Sequence, residues 1–315
     1  MLDLTARVRT RAENRVLQNT SRRGSKTKVR VRVVEDGSTR IRPDVLATEE
    51  PMELRLISGG ARQTVAVTMR TPGTDFELAT GFLYGEGIVS SPEDIKKISY
   101  CVDADVDAAQ RYNIVNVELR GGRDYDPRSL ERHFYTTSAC GVCGKASLEQ
   151  LELRGCPVIP PGPMIAPETI YSLPEKLRGA QGLFEATGGL HAAALFDAEG
   201  NLVALKEDVG RHNATDKLVG WALLEGRLPL SDHIVMVSGR SSFEIMQKCL
   251  VARVPIVCAI SAPSSLAVDV AREFGMTLVG FLRGNKFNAY AGSERIQPEP
   301  ASSTGAESSA DRDHG

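Results

Sequence analysis

The sequence predicts a protein of two domains, a mixed α+β domain on the N-terminal side and a layered α/β domain on the C-terminal side. Short stretches of alternating apolar and polar residues recur between residues 29 and 119, and five prolines lie within residues 155–167. Residues 233–282 have the pattern of strand, helix, strand, helix and strand. That order requires a parallel sheet with right-handed connections.

The chain is accordingly divided into five predicted parts. A basic arm without regular structure (residues 1–28) precedes the N-terminal α+β domain (29–154). A proline-rich linker (155–167) leads to the C-terminal α/β domain (168–292). A polar tail (293–315), rich in Ser, Glu, Pro and Asp, is predicted to be unstructured.

The N-terminal domain is predicted to contain five strands and one helix. Ser58-Gly59-Gly60 supplies a tight turn between two of the strands, whereas residues 39–51 are predicted to be a turn-rich passage. The predicted strands cover 29–34, 53–57, 63–69, 98–102 and 114–119, and the predicted helix covers 75–85.

The second half is predicted to alternate helices and strands. A hairpin is expected around Asp197-Ala198-Glu199-Gly200, with its strands at 192–196 and 202–206. The other predicted strands cover 233–237, 255–260 and 276–282, and the predicted helices cover 144–153, 168–177, 213–225, 241–253 and 265–274.

Composition predicts a globular protein of the cytoplasm. Of the 315 residues, 42% are hydrophobic and 5% aromatic, and the formal net charge is −2. The first 30 residues hold no apolar signal segment, and no apolar run is long enough to span a membrane. Residues 1–42 hold twelve Lys or Arg against four acids. Such an arm can bind nucleic acid or an acidic partner, but it is more often a solvated leader.

The segment Cys140-Gly141-Val142-Cys143-Gly144 carries the strongest chemical signal. Six cysteines in a chain of this length do not make a disulfide scaffold, so a CxxC in a reducing compartment indicates redox, metal or sulfur chemistry. A cysteine at the entry to a helix feels the positive end of the helix dipole, which favours the reactive thiolate. We therefore expect Cys140 to be the nucleophile and Cys143 to assist it, resolve it or share its sulfur.

Two other interpretations of the cysteine pair stay open. A structural zinc site needs further ligands, but no second CxxC occurs, and His133 and Cys156 lie at spacings that match no common zinc pattern. A thioredoxin-type dithiol lies between the first strand and first helix of its domain, whereas this pair lies deep in the chain. Sulfur chemistry is the better supported interpretation, and we expect no bound metal.

The ends of the three parallel strands form a second candidate site. Ligands of open α/β sheets bind beyond the carboxyl ends of the strands, and two of these ends lead into helix N-termini, which favour anions. The loops therefore suit a phosphate-rich nucleotide, although neither a P-loop nor a GxGxxG motif is present. The expected ligand-binding residues in these loops are Ser238, Gly239, Arg240, Ser241, Ser261, Arg283, Gly284, Asn285 and Lys286.

Polar residues also flank the predicted hairpin. His191 precedes its first strand, and Asp208, Arg211 and His212 follow its second. His191 and Arg211 could contact a ligand, and the imidazoles could act as acid–base groups, whereas Asp208 could simply cap the next helix. The zinc-deaminase signature H-x-E…P-C-x-x-C is absent.

Five segments together resemble the FdhD family of formate dehydrogenase accessory sulfurtransferases. They recur in the order known for that family, and the resemblance covers roughly residues 30–292. The segments are 136–145, 187–191, 207–217, 238–244 and 281–290.

The resemblance implies a function. The family accepts persulfide sulfur from a cysteine desulfurase and passes it to the molybdenum cofactor, in its bis(molybdopterin guanine dinucleotide) form, before formate dehydrogenase receives that cofactor. By resemblance, Cys140 carries the persulfide, and the cofactor-binding stretch is Phe281-Leu282-Arg283-Gly284-Asn285-Lys286. A guanine nucleotide such as GDP should then mimic the cofactor. A cofactor chaperone without sulfur chemistry remains the alternative function.

The resemblance also implies a homodimer in the cytoplasm, with no nucleic acid and no membrane among its partners. It further implies that the C-terminal domain is similar to the cytidine deaminase fold without its zinc, which agrees with the missing deaminase signature.

Overall fold

The computed structural model describes residues 24–121, 148, 151–152 and 156–298. The N-terminal half forms a two-stranded and a four-stranded sheet, and the C-terminal half forms a six-stranded sheet. The predicted basic arm up to residue 23, most of the predicted 144–153 helix and the predicted tail beyond residue 298 lie outside the described residues. The start of that tail is a wrong prediction, because Ser293–Arg295 form a short 3-10 helix and Ile296 forms a parallel bridge with Ile165. No helix of the described part has the length and apolar character needed to cross a membrane.

The first two strands correct one prediction. β1 (Lys26–Glu35) begins inside the predicted basic arm, and β2 (Ser38–Ala47) fills most of the passage that the sequence predicts to be turn-rich. Asp36-Gly37 closes the hairpin with φ of 49° and 76°, as a type I′ turn requires. Charged residues and Pro43 interrupt the apolar alternation of β2, so its periodicity alone does not reveal a strand.

The four-stranded sheet confirms the other N-terminal strand predictions. β3 (Glu50–Ser58) and β4 (Ala61–Arg70) form a hairpin, and β5 (Ile95–Tyr100) and β6 (Ile114–Leu119) complete the order β4-β3-β6-β5. β3 and β6 are parallel, and the other two pairs are antiparallel. Helix α1 (Asp75–Gly85) has the predicted bounds, and it covers this sheet because its apolar residues join the sheet's buried cluster.

The C-terminal sheet contains all five predicted strands and a sixth, Lys286–Ala291, that the sequence does not predict, and the helix Gly182–Thr187 is likewise not predicted. Its order is β12-β11-β10-β9-β7-β8, in which β9, β10 and β11 are parallel and the other pairs are antiparallel. The strands are β7 (His191–Phe196), β8 (Leu202–Asp208), β9 (Ile234–Val237), β10 (Ile256–Ala259), β11 (Thr277–Arg283) and β12 (Lys286–Ala291). The helices are α2 (Pro167–Ala180), α3 (Gly182–Thr187), α4 (Arg211–Leu224), α5 (Phe243–Val251) and α6 (Ser265–Glu273).

Helices cover both faces of this sheet. Alternate strand residues such as Val235 and Val257 pack with α4, α5 and α6, whereas their neighbours Met236 and Cys258 pack with α2. Burial on both faces explains why the central strands are continuously apolar. The mixed α/β fold is therefore confirmed, and the more detailed likeness to the cytidine deaminase fold stays a prediction.

The two halves of the chain join where α1 crosses α4. A Cβ atom on Gly81 would lie 1.8 Å from the backbone oxygen of Asp216, and one on Gly220 would lie 1.9 Å from that of Glu77. Only glycine at both positions allows the two helix backbones to approach this closely. Because Leu223 of α4 packs in the apolar cluster of the N-terminal sheet, the two predicted domains share a buried interface.

Candidate functional site

One edge of the six-stranded sheet collects the predicted ligand-binding residues. The parallel strands β9, β10 and β11 end there, and the pairings Arg283↔Lys286 and His191↔Asp208 bring the start of β12, the start of β7 and the end of β8 to the same edge. The topology therefore unites segments that lie nearly a hundred residues apart in the chain.

Backbone hydrogen bonds fasten the strand-end loops to one another. Ser241 and Pro263 form an isolated parallel bridge, and the Ser264 N–H donates to the Ser241 carbonyl at 2.9 Å. The Phe281 N–H donates to the Ser261 carbonyl at 3.3 Å. The loops that follow β9 and β10 (residues 238–242 and 260–264) and the end of β11 with its turn (residues 281–285) are therefore held together by hydrogen bonds, and we call this edge of the sheet the braced rim.

Some predicted side chains serve the scaffold of this rim. The Ser238 hydroxyl accepts a hydrogen bond from the Ala192 N–H at 2.9 Å, which ties β9 to β7. Leu282 is fully buried in the cluster beneath the sheet, so only its backbone is available to a ligand. A Cβ atom at Gly239 would lie 3.3 Å from Nδ1 of His191, so this glycine makes room for the imidazole.

Phe281 has the least usual backbone at the site. Its φ is 52°, in the left-handed region that a bulky residue rarely adopts, and 42% of the residue is exposed. The irregular pairing of β11 with β12 lies between Gly280 and Arg283 and accommodates this residue. Backbone strain of this kind persists where the surroundings enforce it, often at ligand sites. The result is an exposed phenylalanine within five residues of the exposed cations Arg283 and Lys286 along the chain.

A histidine pair lies at the other end of the rim. His212 Nε2 lies 3.1 Å from the Ser242 hydroxyl and 3.7 Å from the Glu244 carboxylate. Burial and the neighbouring Arg211 charge lower the pKa of His212 to about 4. The same two causes lower the pKa of His191. Both imidazoles are therefore neutral near pH 7 and can accept as well as donate hydrogen bonds.

Unsatisfied polar atoms also occur at this end. The Ser241 hydroxyl and Nε of Arg211 are buried without a hydrogen-bond partner among the described residues. Ser242 precedes α5 but does not cap it with its side chain, because its hydroxyl faces His212. The Arg211 guanidinium thus retains hydrogen-bonding capacity for an anion. The first turn of α5 already holds the Glu244 carboxylate, which accepts hydrogen bonds from the Ser242 hydroxyl and from its own backbone N–H.

The largest feature that the sequence did not indicate is a buried ion pair under the rim. Nζ of Lys217 lies 2.6 Å from the Asp208 carboxylate, and both side chains are at least 98% buried. Asp208 also accepts hydrogen bonds from the Thr71 N–H at 3.0 Å, the Gly210 N–H at 2.8 Å and Nδ2 of Asn213 at 2.9 Å. Because Thr71 follows β4, this network anchors the N-terminal half to the site.

Glu207 fixes the helix that precedes His191 in the chain. Its carboxylate accepts hydrogen bonds from the N–H groups of Leu183 and Phe184, at 3.0 and 2.8 Å. These bonds fix the start of α3, which leads through the left-handed Gly188 to His191. The acid in this sequence segment therefore has a positioning role, which sequence alone left open.

The predicted sulfur chemistry lies elsewhere in the chain. Cys140 and Cys143 are outside the described residues. Of the described thiols, Cys249 and Cys258 are fully buried, and burial raises the pKa of each to about 12. Within the part of the chain that the structure describes, no group of three His, Cys, Asp or Glu side chains could hold a metal ion.

Comparison with known proteins places this architecture in a family. The sequence profile of the FdhD/NarQ family matches residues 47–297. "Sulfur carrier protein FdhD" of Streptomyces avermitilis is 51% identical over 86% of this chain and 96% of its own length. The protein of the same name from Mycolicibacterium paratuberculosis is 50% identical over 89% of this chain and all of its own length.

A solved structure has the same fold. The crystal structure of a putative formate dehydrogenase accessory protein from Desulfotalea psychrophila superposes with a TM-score of 0.65 at 25% identity. It covers 86% of this chain and 99% of its own.

Proposed function

The chain belongs to the FdhD/NarQ family, and we propose that it carries sulfur as a persulfide on Cys140 from a cysteine desulfurase to the molybdenum cofactor of formate dehydrogenase. The near-full-length identity with proteins named sulfur carriers supports the sulfur-transfer role. On the basis of the family resemblance, we also propose that the protein is a homodimer in the cytoplasm.

The proposed loading step exchanges one sulfur–sulfur bond for another. The Cys140 thiolate attacks the outer sulfur of the donor's cysteine persulfide, the donor's S–S bond breaks, and the donor cysteine leaves as a thiolate. Cys140 then holds the persulfide. Attack by Cys143 on the Cys140 sulfur forms a disulfide between them and releases the outer sulfur as sulfide to the acceptor. A dithiol reductant restores the pair for the next cycle.

The observation that carries the acceptor half of the proposal is the braced rim of the six-stranded sheet. The acceptor, bis(molybdopterin guanine dinucleotide)-molybdenum, is rich in phosphate and contains flat ring systems. Arg283 and Lys286 suit its phosphates, and the exposed ring of Phe281 suits stacking on a base. The buried Nε of Arg211 and the buried Ser241 hydroxyl, which have no hydrogen-bond partner among the described residues, offer further contacts to an anion.

Persulfide mapping tests the donor half. Incubation with a cysteine desulfurase and cysteine is expected to add one sulfur atom to Cys140, which mass spectrometry locates. Cys140→Ala should abolish this loading and the activation of formate dehydrogenase, whereas the matched variant Cys156→Ala should retain both. Undiminished loading of Cys140→Ala would overturn the assignment of the nucleophile. Full activation of formate dehydrogenase by Cys140→Ala, with loss in Arg283→Ala, would instead indicate a cofactor chaperone.

Nucleotide binding tests the acceptor half. GDP at ten times its Kd should stabilise the protein by about 1.4 kcal/mol, a melting shift of a few degrees. Phe281→Gly should weaken GDP binding at least about fivefold because one stacking contact is lost. Its stability without GDP should stay within about 1 kcal/mol of the wild type, because glycine adopts this φ without strain.

Arg283→Ala should weaken GDP binding about tenfold, as expected for one charge-assisted hydrogen bond. Lys96→Ala, which removes an exposed cation of the N-terminal sheet, is the matched control and should leave GDP affinity unchanged. GDP affinity that stays at the wild-type value in both Phe281→Gly and Arg283→Ala would contradict the rim as the nucleotide site.

A further inference from the structure

The β1–β2 hairpin is a two-stranded sheet that pairs with neither of the other described sheets. Its base is fastened by a hydrogen bond from the Thr48 N–H to the Ser25 carbonyl at 3.0 Å and by one between the Thr27 and Thr48 hydroxyls at 2.8 Å. Most of its residues are exposed. A two-stranded sheet by itself is only marginally stable in water, so this hairpin depends on contacts with other elements, such as α3 beside β2, and a partner that covers it adds further stability.

The two faces of this hairpin differ in charge. Because side chains alternate along a strand, the cations of β1 point to one face, where their β2 partners are apolar. We call this the cationic face; it comprises Lys26, Lys28, Arg30, Arg32, Val34, Thr39, Ile41, Pro43, Val45 and Ala47. It contains four cations and no acid. The acids Glu35 and Asp44 belong to the opposite face, where Glu35 pairs with Arg40 at 2.9 Å.

The cations of this face have no ion-pair partner within the described part of the chain. They are exposed, and beside them Val34 and Ile41 are 69% and 64% exposed. Four cations next to the exposed apolar side chains of Val34 and Ile41 combine steering charge with the apolar contact that protein interfaces bury. We infer that the cationic face is a docking surface for an acidic, apolar-containing segment of a partner protein.

Charge and composition decide between this partner and two others. A second copy docked face to face would bring like charges together, which costs free energy. A nucleic acid would contact the cations but leave the exposed apolar side chains of Val34 and Ile41 uncovered. Residues 24–47 also contain no aromatic side chain for stacking on bases. A protein segment with acidic and apolar side chains can pair with the cations and cover the apolar side chains of this face.

The position of this face suits a partner that exchanges a group with the protein. β2 packs beside α3, whose start is held by Glu207 and whose end leads through Gly188 to His191 on the rim. A segment docked along β2 therefore lies beside α3, the helix that leads to His191. At roughly 3.3 Å per residue, the ten-residue strands offer a face about 33 Å long. A narrow face of that length fits a transient, salt-sensitive contact rather than a permanent interface.

Binding of a defined peptide tests this inference directly. The probe is a fluorescein-labelled decapeptide of alternating Glu and Val, measured by anisotropy with the full chain. We expect it to bind, to weaken as salt rises, and to bind at least about tenfold more weakly to the double variant Arg30→Glu/Arg32→Glu. The matched control is Arg40→Glu/Arg42→Glu, which makes the same charge change on the opposite face of the same hairpin and should lower affinity by less than about threefold.

Several outcomes would overturn the inference. Equal losses in the two double variants would show that net charge alone attracts the peptide. Tighter binding of a single-stranded or duplex oligonucleotide, lost in Arg30→Glu/Arg32→Glu, would make the face a nucleic-acid surface. The neutral variant Arg30→Gln/Arg32→Gln provides a control for folding of the hairpin. Hydrogen exchange of its β1 amides shows whether a loss of peptide binding comes from missing contacts or from an unfolded hairpin. Wild-type peptide affinity in a neutral variant with protected amides would also refute the docking surface.

Discussion

Gly220→Ala is expected to destabilise the protein by at least about 3 kcal/mol. The added methyl group would lie 1.9 Å from the Glu77 carbonyl oxygen and 2.6 Å from the Gly81 nitrogen, and both of these are backbone atoms. A side chain could rotate away from such a clash, but a helix backbone cannot, so α1 and α4 must separate. Urea unfolding monitored by circular dichroism gives the change in the free energy of unfolding.

Gly179→Ala is the matched control for this substitution. Gly179 lies in the last turn of α2, and a Cβ atom there meets nothing within 4 Å. Because alanine favours the helix more than glycine, this variant should gain up to about 1 kcal/mol. If the free energy of unfolding of Gly220→Ala were within about 1 kcal/mol of the wild-type value, the close crossing of α1 and α4 would be refuted.

The second large effect concerns the buried ion pair. Asp208→Asn should cost about 3–5 kcal/mol, because it leaves the Lys217 ammonium charged and buried without its counterion. Lys217→Met should cost a similar amount by stranding the Asp208 carboxylate. Thermal or urea unfolding of both single variants and of the double variant measures these losses.

The double variant should cost clearly less than the sum of the two, because it removes both charges. The exposed pair of Arg40 with Glu35 provides the control, since Arg40→Ala should change stability by less than about 1 kcal/mol. Additive losses in the Asp208 and Lys217 variants would show that the two side chains do not interact.

Much of the fold could be predicted from local patterns. The β-α-β-α-β segment and the hairpin at β7 and β8 follow from apolar runs bounded by turn residues, and the structure reproduces them within a few residues. β2 was not predicted, because cations and Pro43 interrupt the apolar positions of its alternating pattern. Asp36-Gly37 was nevertheless a recognisable signal for a hairpin. Periodicity reports which faces are buried, and neither face of β2 is deeply buried.

The candidate site was predictable only in outline. The rule for the carboxyl ends of parallel strands placed the three loops on one edge. His191 and Arg211 were predicted as ligand contacts, and the pairing His191↔Asp208 shows that His191 and the end of β8, three residues before Arg211, lie at the same edge. Thr71 and Lys217 could not be assigned to Asp208 from the sequence. The Lys217 contact depends on how α4 packs against β8, and the Thr71 contact depends on how the N-terminal half meets the end of β8. The left-handed φ of Phe281 arises from the pairing of β11 with β12, which the sequence of β11 alone does not encode.

The buried thiols Cys249 and Cys258 bear on the fidelity of sulfur traffic. With the pKa of each raised to about 12, they are protonated at neutral pH, and a protonated thiol does not attack a persulfide. Sulfur that reaches the surface of the protein therefore cannot migrate onto these two core positions. These two cysteines therefore do not compete for sulfur in the proposed loading reaction.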